Sequence, residues 1–248
     1  WFLPLTVLLS LYFSSRRIDR QLGTLLLMSY VFFILATGWH LLLLITSTLV
    51  DWTAGKNIHN SNDDKVRKRW LISSLAVNLG LLGIFKYLDF GIRALGWWSL
   101  SLGGPGFDEV GLLLPVGISF YTFQTMSYTI DIYRRKEEPA KNFVSFACYA
   151  AFFPQLVAGP IVRYPHFRDQ VSKPLVFSWP RIRLGLTLIA YGLVKKFVFA
   201  DNFAVQVNSI FTTGQPLDNP ILVYWGTLLF GLQIYCDFSA YTDIALGS

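Results

Sequence analysis

The chain predicts an all-α fold: a multi-pass bundle of transmembrane helices with one re-entrant segment, truncated at both ends. Three observations carry this. Hydrophobic residues make up 53% of the 248 positions and charged residues only 15%, against about 25% charged in soluble domains. Mean hydropathy is +0.46, and several apolar runs are long enough to cross a bilayer. The cations sit in short loops between those runs, as in cytoplasmic loops of membrane proteins. The net charge of +6 is therefore assigned to membrane topology and not to nucleic-acid binding. Eight Trp, many near segment ends, fit interfacial belts.

The elements follow in order. Residues 1–13 read as the remnant of a first helix, too short to span. Arg16, Arg17 and Arg20 follow. Residues 22–52 form an apolar run of 31 residues interrupted at Thr37-Gly38-Trp39-His40. One helix of that length overshoots a hydrocarbon core of about 30 Å. The run is therefore split into two short helices, about 22–37 and 40–54. Charge supports the split. It puts the first basic loop on the same side as the next, which holds Lys56, Lys65, Arg67, Lys68 and Arg69. A fourth helix, about 70–90, then crosses to an outer loop, 91–111, whose one cation is Arg93. Residues 112–133 cross back to Arg134, Arg135, Lys136 and Lys141.

Residues 143–158 are expected to re-enter and leave on the same side. They are short and run into Pro154 and the turn Ala158-Gly159-Pro160. A full crossing would strand Arg163, Arg168, Lys173, Arg181 and Arg183 outside, against the charge rule. Residues 184–202 then cross outward, the loop 203–219 has no Lys or Arg, and residues 220–246 return. No repeat or long linker divides the chain, so residues 1–248 read as one membrane-embedded domain. The chain opens at Trp1-Phe2-Leu3 inside an apolar run, without an initiator Met, and stops at Gly247-Ser248 at the end of another. It is read as the N-terminal and central part of a longer protein, and no cleavable signal peptide is recognised within residues 1–248.

Polar residues inside apolar segments mark the candidate sites, because charge at membrane depth must face protein or water. Gln124, Ser127 and Asp131 share a helical face. They form either a wall of a polar cavity or a helix–helix hydrogen-bonding stripe, with Asp131 paired to Arg134 or Arg135. Lys195-Lys196 interrupts an apolar helix, and Asp201 is placed to help neutralise it. These lysines could also bind a phosphate, phosphopantetheine or polyuronate group. Gln233, Asp237 and Tyr241 recur at i+4 and i+8, and Ser239 and Asp243 form a further i, i+4 pair. Asp237 and Asp243 are six residues apart, about 240° around a helix, which argues against a paired-carboxylate acid–base mechanism.

Among the three histidines, His40 is expected at an interface and His59 in solvent. His166 is the one candidate base with cavity context, beside the Gly159-Pro160 turn and Arg163. Cys148 and Cys236 have no metal-type spacing and form no disulfide framework. No metal site is expected.

Three blocks carry a family resemblance: LPVGISFYTFQ…SYTIDIYR, FFPQLVAGPI and QIYCDFSAYTDIALG. They resemble the membrane-bound O-acyltransferases (MBOAT), closest to bacterial alginate O-acetyltransferases, with peptidoglycan and D-alanyl-lipoteichoic-acid acyltransferases as relatives. The resemblance implies transfer of an acyl group, most simply acetyl, from a cytoplasmic thioester donor such as acetyl-CoA. The acceptor would be a hydroxyl of an extracytoplasmic polysaccharide or of an intermediate partner protein. It implies a bacterial inner-membrane location. It also places the family's catalytic His in a Trp-His pair downstream of the block matching DFSAYTDIALG. No histidine of this chain matches that pair, and no G-x-S-x-G elbow replaces it. Residues 1–248 alone are therefore expected to be inactive. The residues expected to line or support the cavity are Asp237, Ser239, Tyr241 and Asp243, then Gln124, Asp131, Arg163 and Lys196. A transporter or flippase, or a non-catalytic scaffold of a polysaccharide-export assembly, remains the rival reading.

Overall fold

The computed structural model describes residues 2–14, 18–156, 159, 161–173, 177–211 and 219–248. Arg16, Arg17, and the Ala158 and Pro160 of the expected turn lie outside the described residues. Every regular element among the described residues is a helix. Three helical stretches are long and apolar enough to cross a membrane, Asp19–Asn60, Asp64–Ser101 and Pro220–Gly247. The chain divides into two compact units: Trp1–Val157 with Ile161–Leu175, and Ala158–Pro160 with Val176–Ser248.

The first unit holds α1 (Phe2–Ser14), α2 (Ile18–Thr37), α3 (Leu41–Asn60), α4 (Asp64–Ser101) and α5 (Ile118–Tyr133). It also holds three short helices, α6 (Phe143–Ala151), α7 (Phe153–Leu156) and α8 (Tyr164–Val171). The expected break in the first long apolar run is real. Gly38 ends α2 with φ 63°, and one 3₁₀ turn, Gly38–His40, leads into α3. The core shows that the chain reverses there. Leu22 and Ile58, from the far ends of α2 and α3, share one buried cluster with Tyr128 and Ile132. Phe33 and Leu44, flanking the break, share another with Ile118 and Tyr121. On one straight helix Leu22 and Ile58 would stand about 54 Å apart.

The reversal brings the end of α3, the start of α4 and the end of α5 together at one end of this unit. Arg67 is buried there and donates to two helix-terminal carbonyls, Ile58 O at 3.1 Å and Tyr133 O at 2.6 Å. Arg168 of α8 pairs with Glu137 of the loop after α5. Burial works against the Arg168 charge, but Glu137 and Asp169 outweigh it and hold its pKa above the usual value.

The segment after α5 folds back on itself. Asn142 caps α6, accepting from Ser145 N. The helix breaks at Phe152, and α7 ends with Leu156 against the start of α5, where Leu156 and Ile118 share a cluster. The chain is back beside the middle of α5 by Val162, whose carbonyl accepts from Tyr149 OH at 2.9 Å. Arg163 then reaches Asp131, 3.7 Å away, near the C-terminal end of α5. The segment thus enters and leaves at the same end of the unit.

The boundaries differ from expectation, first at the second basic loop: α3 runs on to Asn60 and α4 starts at Asp64, so Lys56, Lys65, Arg67, Lys68 and Arg69 stand on helix ends around the short connection 61–63. α4 continues through residues 91–101 of the expected outer loop, and its 38 residues make a rod of about 57 Å. The remaining loop runs back along it, with Asp89 accepting from Val110 N and Leu112 N. Residues 112–117 are not helical, so α5 starts later than the apolar run does. Residues 203–211 of the second expected loop are helical, and residues 212–218 lie outside the described residues.

Gly117 sets the contact between α5 and α7. Its φ is 74°, and a Cβ there would collide with the Leu156 carbonyl oxygen. Gly117→Ala is expected to cost about 2–4 kcal/mol, left-handed strain plus overpacking. Gly103 has φ 78° and open space around it, so Gly103→Ala is expected to cost only about 1 kcal/mol. Thermal unfolding of both variants in detergent separates the contact from the strain. Equal losses would mean that Leu156 exerts no constraint.

The second unit is a helical hairpin. α9 (Trp179–Val194) passes through a π-helical stretch, Lys195–Ala200, into α10 (Asp201–Phe211). α11 (Pro220–Gly247) returns antiparallel to it, as the facing pairs Gly185–Gly247, Gly192–Ala240 and Phe211–Gly226 require. Gly192 lets the backbones touch, because a Cβ there would stand 2.6 Å from Ala240 O. Small residues at such a crossing are how membrane helices approach closely.

Candidate functional site

The second unit gathers one strand of the predicted chemistry at the centre of its hairpin. Lys195 donates to Ser239 Oγ at 2.7 Å and to Asp243 Oδ2 at 2.6 Å. Lys196 donates to Asp237 Oδ1 at 2.8 Å and pairs with Asp201 at 2.9 Å. The Tyr241 ring lies 5.7 Å from Lys196 Nζ. Both lysines and both α11 aspartates are half-buried. Gln233 Oε1, one turn before Asp237, is buried without a hydrogen-bond partner among the described residues.

The π turn makes this arrangement possible. Residues five apart on an α-helix point about 140° away from each other. The wider π turn, in which Asp201 N–H bonds Lys196 O, swings Asp201 back over Lys196. π turns inside α-helices concentrate at functional sites. Asp237 and Asp243 do point different ways, as their spacing predicts. Two consecutive lysines on the facing helix reach one each. Three carboxylates now oppose two ammonium groups, so the lysines are neutralised in place. The geometry favours this over their binding an anionic group.

In the first unit Gln124 is buried, its amide donating to Tyr149 O at 2.9 Å. Tyr149 OH in turn donates to Gln124 O at 3.2 Å, and Ser127 Oγ to the same carbonyl at 2.7 Å. These bonds clamp α5 to α6. Asp131 pairs with Arg163, not with Arg134 or Arg135. Those two lie past the helix end, where the chain turns away and both are exposed. Within each unit the structure groups the predicted residues: Asp237, Ser239, Tyr241, Asp243 and Lys196 in one, Gln124, Asp131 and Arg163 in the other.

A profile of the membrane-bound O-acyltransferase family matches residues 25–248. The chain belongs to this family. It is 36% identical over 247 residues to the probable alginate O-acetylase AlgI of Pseudomonas aeruginosa, covering 99% of this chain and 47% of that protein. It is 32% identical over 253 residues to the peptidoglycan O-acetyltransferase of Helicobacter pylori, covering 90% of this chain and 46% of that protein. To the teichoic acid D-alanyltransferase of Bacillus subtilis it is 26% identical over 164 residues, covering 61% of this chain and 38% of that protein. The chain thus spans about half the length of the first two relatives. It is an integral membrane protein of the O-acyltransferase family.

In this MBOAT chain the histidines take three different settings. His40 is buried at the α2–α3 break, with Nδ1 2.7 Å from Thr37 O and its ring stacked on Trp39. His59 is exposed at the end of α3, and His166 is exposed on α8. Among the described residues no group of His, Cys, Asp and Glu could hold a metal.

One buried polar centre was not read from the sequence. Asp51 of α3 accepts at Oδ1 from Ser74 Oγ (2.5 Å) and Asn78 Nδ2 (2.8 Å), both of α4. Ser47 Oγ donates to Asn78 Oδ1 at 2.5 Å, and Thr125 and Thr129 of α5 flank the carboxyl. All six are buried. The available signal was three i, i+4 polar pairs on consecutive helices: Ser47/Asp51, Ser74/Asn78 and Thr125/Thr129.

Proposed function

We propose that the full-length protein is a membrane O-acyltransferase of the bacterial inner membrane. It takes acetyl from a cytoplasmic thioester, acetyl-CoA or a similar donor, and passes it to hydroxyls of an extracytoplasmic polysaccharide or of a partner protein that serves one. Alginate or another exopolysaccharide is the acceptor class that the AlgI relatives favour. The acceptor oxygen attacks the thioester carbonyl, the new C–O bond forms, the C–S bond breaks, and the thiolate leaves with a proton. The base that takes the hydroxyl proton is a histidine of the full-length protein outside residues 1–248. This segment supplies the polar interior through which the reactants meet.

The observation that carries this reading is the ladder of Lys195, Lys196, Asp201, Asp237 and Asp243 inside otherwise apolar helices. Ionisable groups at membrane depth are costly, and they mark substrate or proton paths. The ladder lies in the helices that hold the QIYCDFSAYTDIALG block, within the family match.

Asp237→Asn in the full-length protein tests it. The variant keeps its volume and one acceptor oxygen but loses its charge. O-acetylation of the polymer is expected to fall at least tenfold, with membrane insertion and polymer export unchanged; a tenfold rate loss is about 1.4 kcal/mol of barrier. Lost export with intact acetylation would favour the transporter or scaffold reading and end this one.

A further inference from the structure

Arg135 stands where a glycine belongs. It closes α5 in a turn where Lys136 N–H bonds Asp131 O at 2.9 Å and Arg135 N–H bonds Ile132 O at 3.0 Å. This places Arg135 at φ 57°, the only non-glycine with positive φ among the described residues. That position of a helix-ending turn is usually glycine, because any Cβ is strained there. A strained residue kept at such a place points to a use for its side chain.

The side chain faces a cleft of about 580 Å³ where the loops at the basic end of the first unit meet. His59, Arg135, Lys136, Glu137, Glu138 and Arg168 line it. Glu137 is cancelled by Arg168. Arg135 and Lys136 have no ion-pair partner among the described residues, and Glu138 is the one further carboxylate of the lining. The cleft therefore holds uncommitted positive charge, one bearer of which is a guanidinium with paired donors. That fork matches the oxygens of a phosphate. The volume falls within the roughly 300–1,000 Å³ of small-molecule sites.

We propose that this cleft holds the phosphate-bearing end of the acyl donor, with Arg135 as its principal contact. This rests on the O-acyltransferase reading, in which a nucleotide thioester approaches from the side of the basic loops. The donor's phosphates are remote from the reacting carbonyl, so the contact serves binding and not the chemical step.

Arg135→Gly is the test, because glycine suits the backbone and the variant folds as well as the parent or better. In the purified full-length protein the KM for acetyl-CoA is expected to rise about tenfold, the worth of one charge-assisted contact, with kcat within twofold. With S-acetylpantetheine, which has no phosphate, the variant and parent are expected to match. An unchanged KM for acetyl-CoA overturns the assignment. So does an effect that disappears when anionic lipid is left out of the vesicles, since the cleft would then serve lipid headgroups. If the parent transfers acetyl from neither donor, the acyltransferase reading fails and calorimetry with pyrophosphate decides the cleft separately. Binding to the parent that Arg135→Gly abolishes supports an anion site; absent or equal binding removes it.

Discussion

Lys196→Met is expected to destabilise the full-length protein by about 3 kcal/mol and to abolish acyl transfer. The lysine serves two carboxylates, Asp237 at 2.8 Å and Asp201 at 2.9 Å. Removing one partner of a pair held away from water costs more than the pair itself contributes, because the stranded charge has lost its counter-ion. Asp201 is 45% exposed and finds other solvation more readily, whereas Asp237 is 25% exposed and sits between helices. Asp237 therefore dominates the loss. Lys196→Arg retains the charge and is expected to retain most of the stability.

The decisive variant combines Lys196→Met with Asp201→Asn and Asp237→Asn. Neutralising a buried ion cluster as a whole is often free of cost. Thermal unfolding of the triple variant is expected to return to within about 1 kcal/mol of the parent, while acyl transfer stays lost. Recovered activity alongside recovered stability would make the ladder a structural device only. A single Lys196→Met variant that melts and works like the parent would show that the pairs carry neither stability nor function.

How far the sequence led can be judged from particular residues. The break at Thr37–His40 was visible because charge counting needed an extra crossing, and Gly38 supplies it with a left-handed turn. The re-entrant segment was visible for the same reason. Gln233, Asp237 and Tyr241 read as one face of α11 from their spacing, and in the structure Asp237 and Tyr241 of that face meet Lys196. Their partners were not legible, because the reach of Lys195 and Lys196 to opposite sides depends on a π turn that no periodicity announces. Most of α10 was read as an outer loop because residues 203–219 hold no Lys or Arg after the apolar run ends. It stays helical by packing Ile210 and Phe211 on Gly226 of α11. Arg67 looked like one more loop cation, and only the convergence of α3 and α5 shows it bonded to both their ends. Asp51 escaped because an isolated carboxyl near Trp52 and Lys56 resembles a segment end.

Asp51 gives the second large effect. Asp51→Leu is expected to destabilise the full-length protein by about 3–5 kcal/mol, since it strands buried donors worth roughly 1–3 kcal/mol each. Those donors are the Ser74 hydroxyl and the Asn78 amide, and both point at the same oxygen, Oδ1. Ser47 is tied in through Asn78, so the loss is shared by α3 and α4, with Thr129 beside Ser74 extending it to α5. Asp51→Asn behaves oppositely. It keeps an oxygen for both donors, removes a charge from membrane depth and offers an N–H where Oδ2 now lacks a partner. Its unfolding free energy is expected to lie within about 1 kcal/mol of the parent, on either side. Thermal or denaturant unfolding in detergent distinguishes the two variants. If Asp51→Asn falls as far as Asp51→Leu, the charge itself is what the three helices require. In the expected case Asp51 acts as the shared acceptor that holds three helices in register, and its role is architectural.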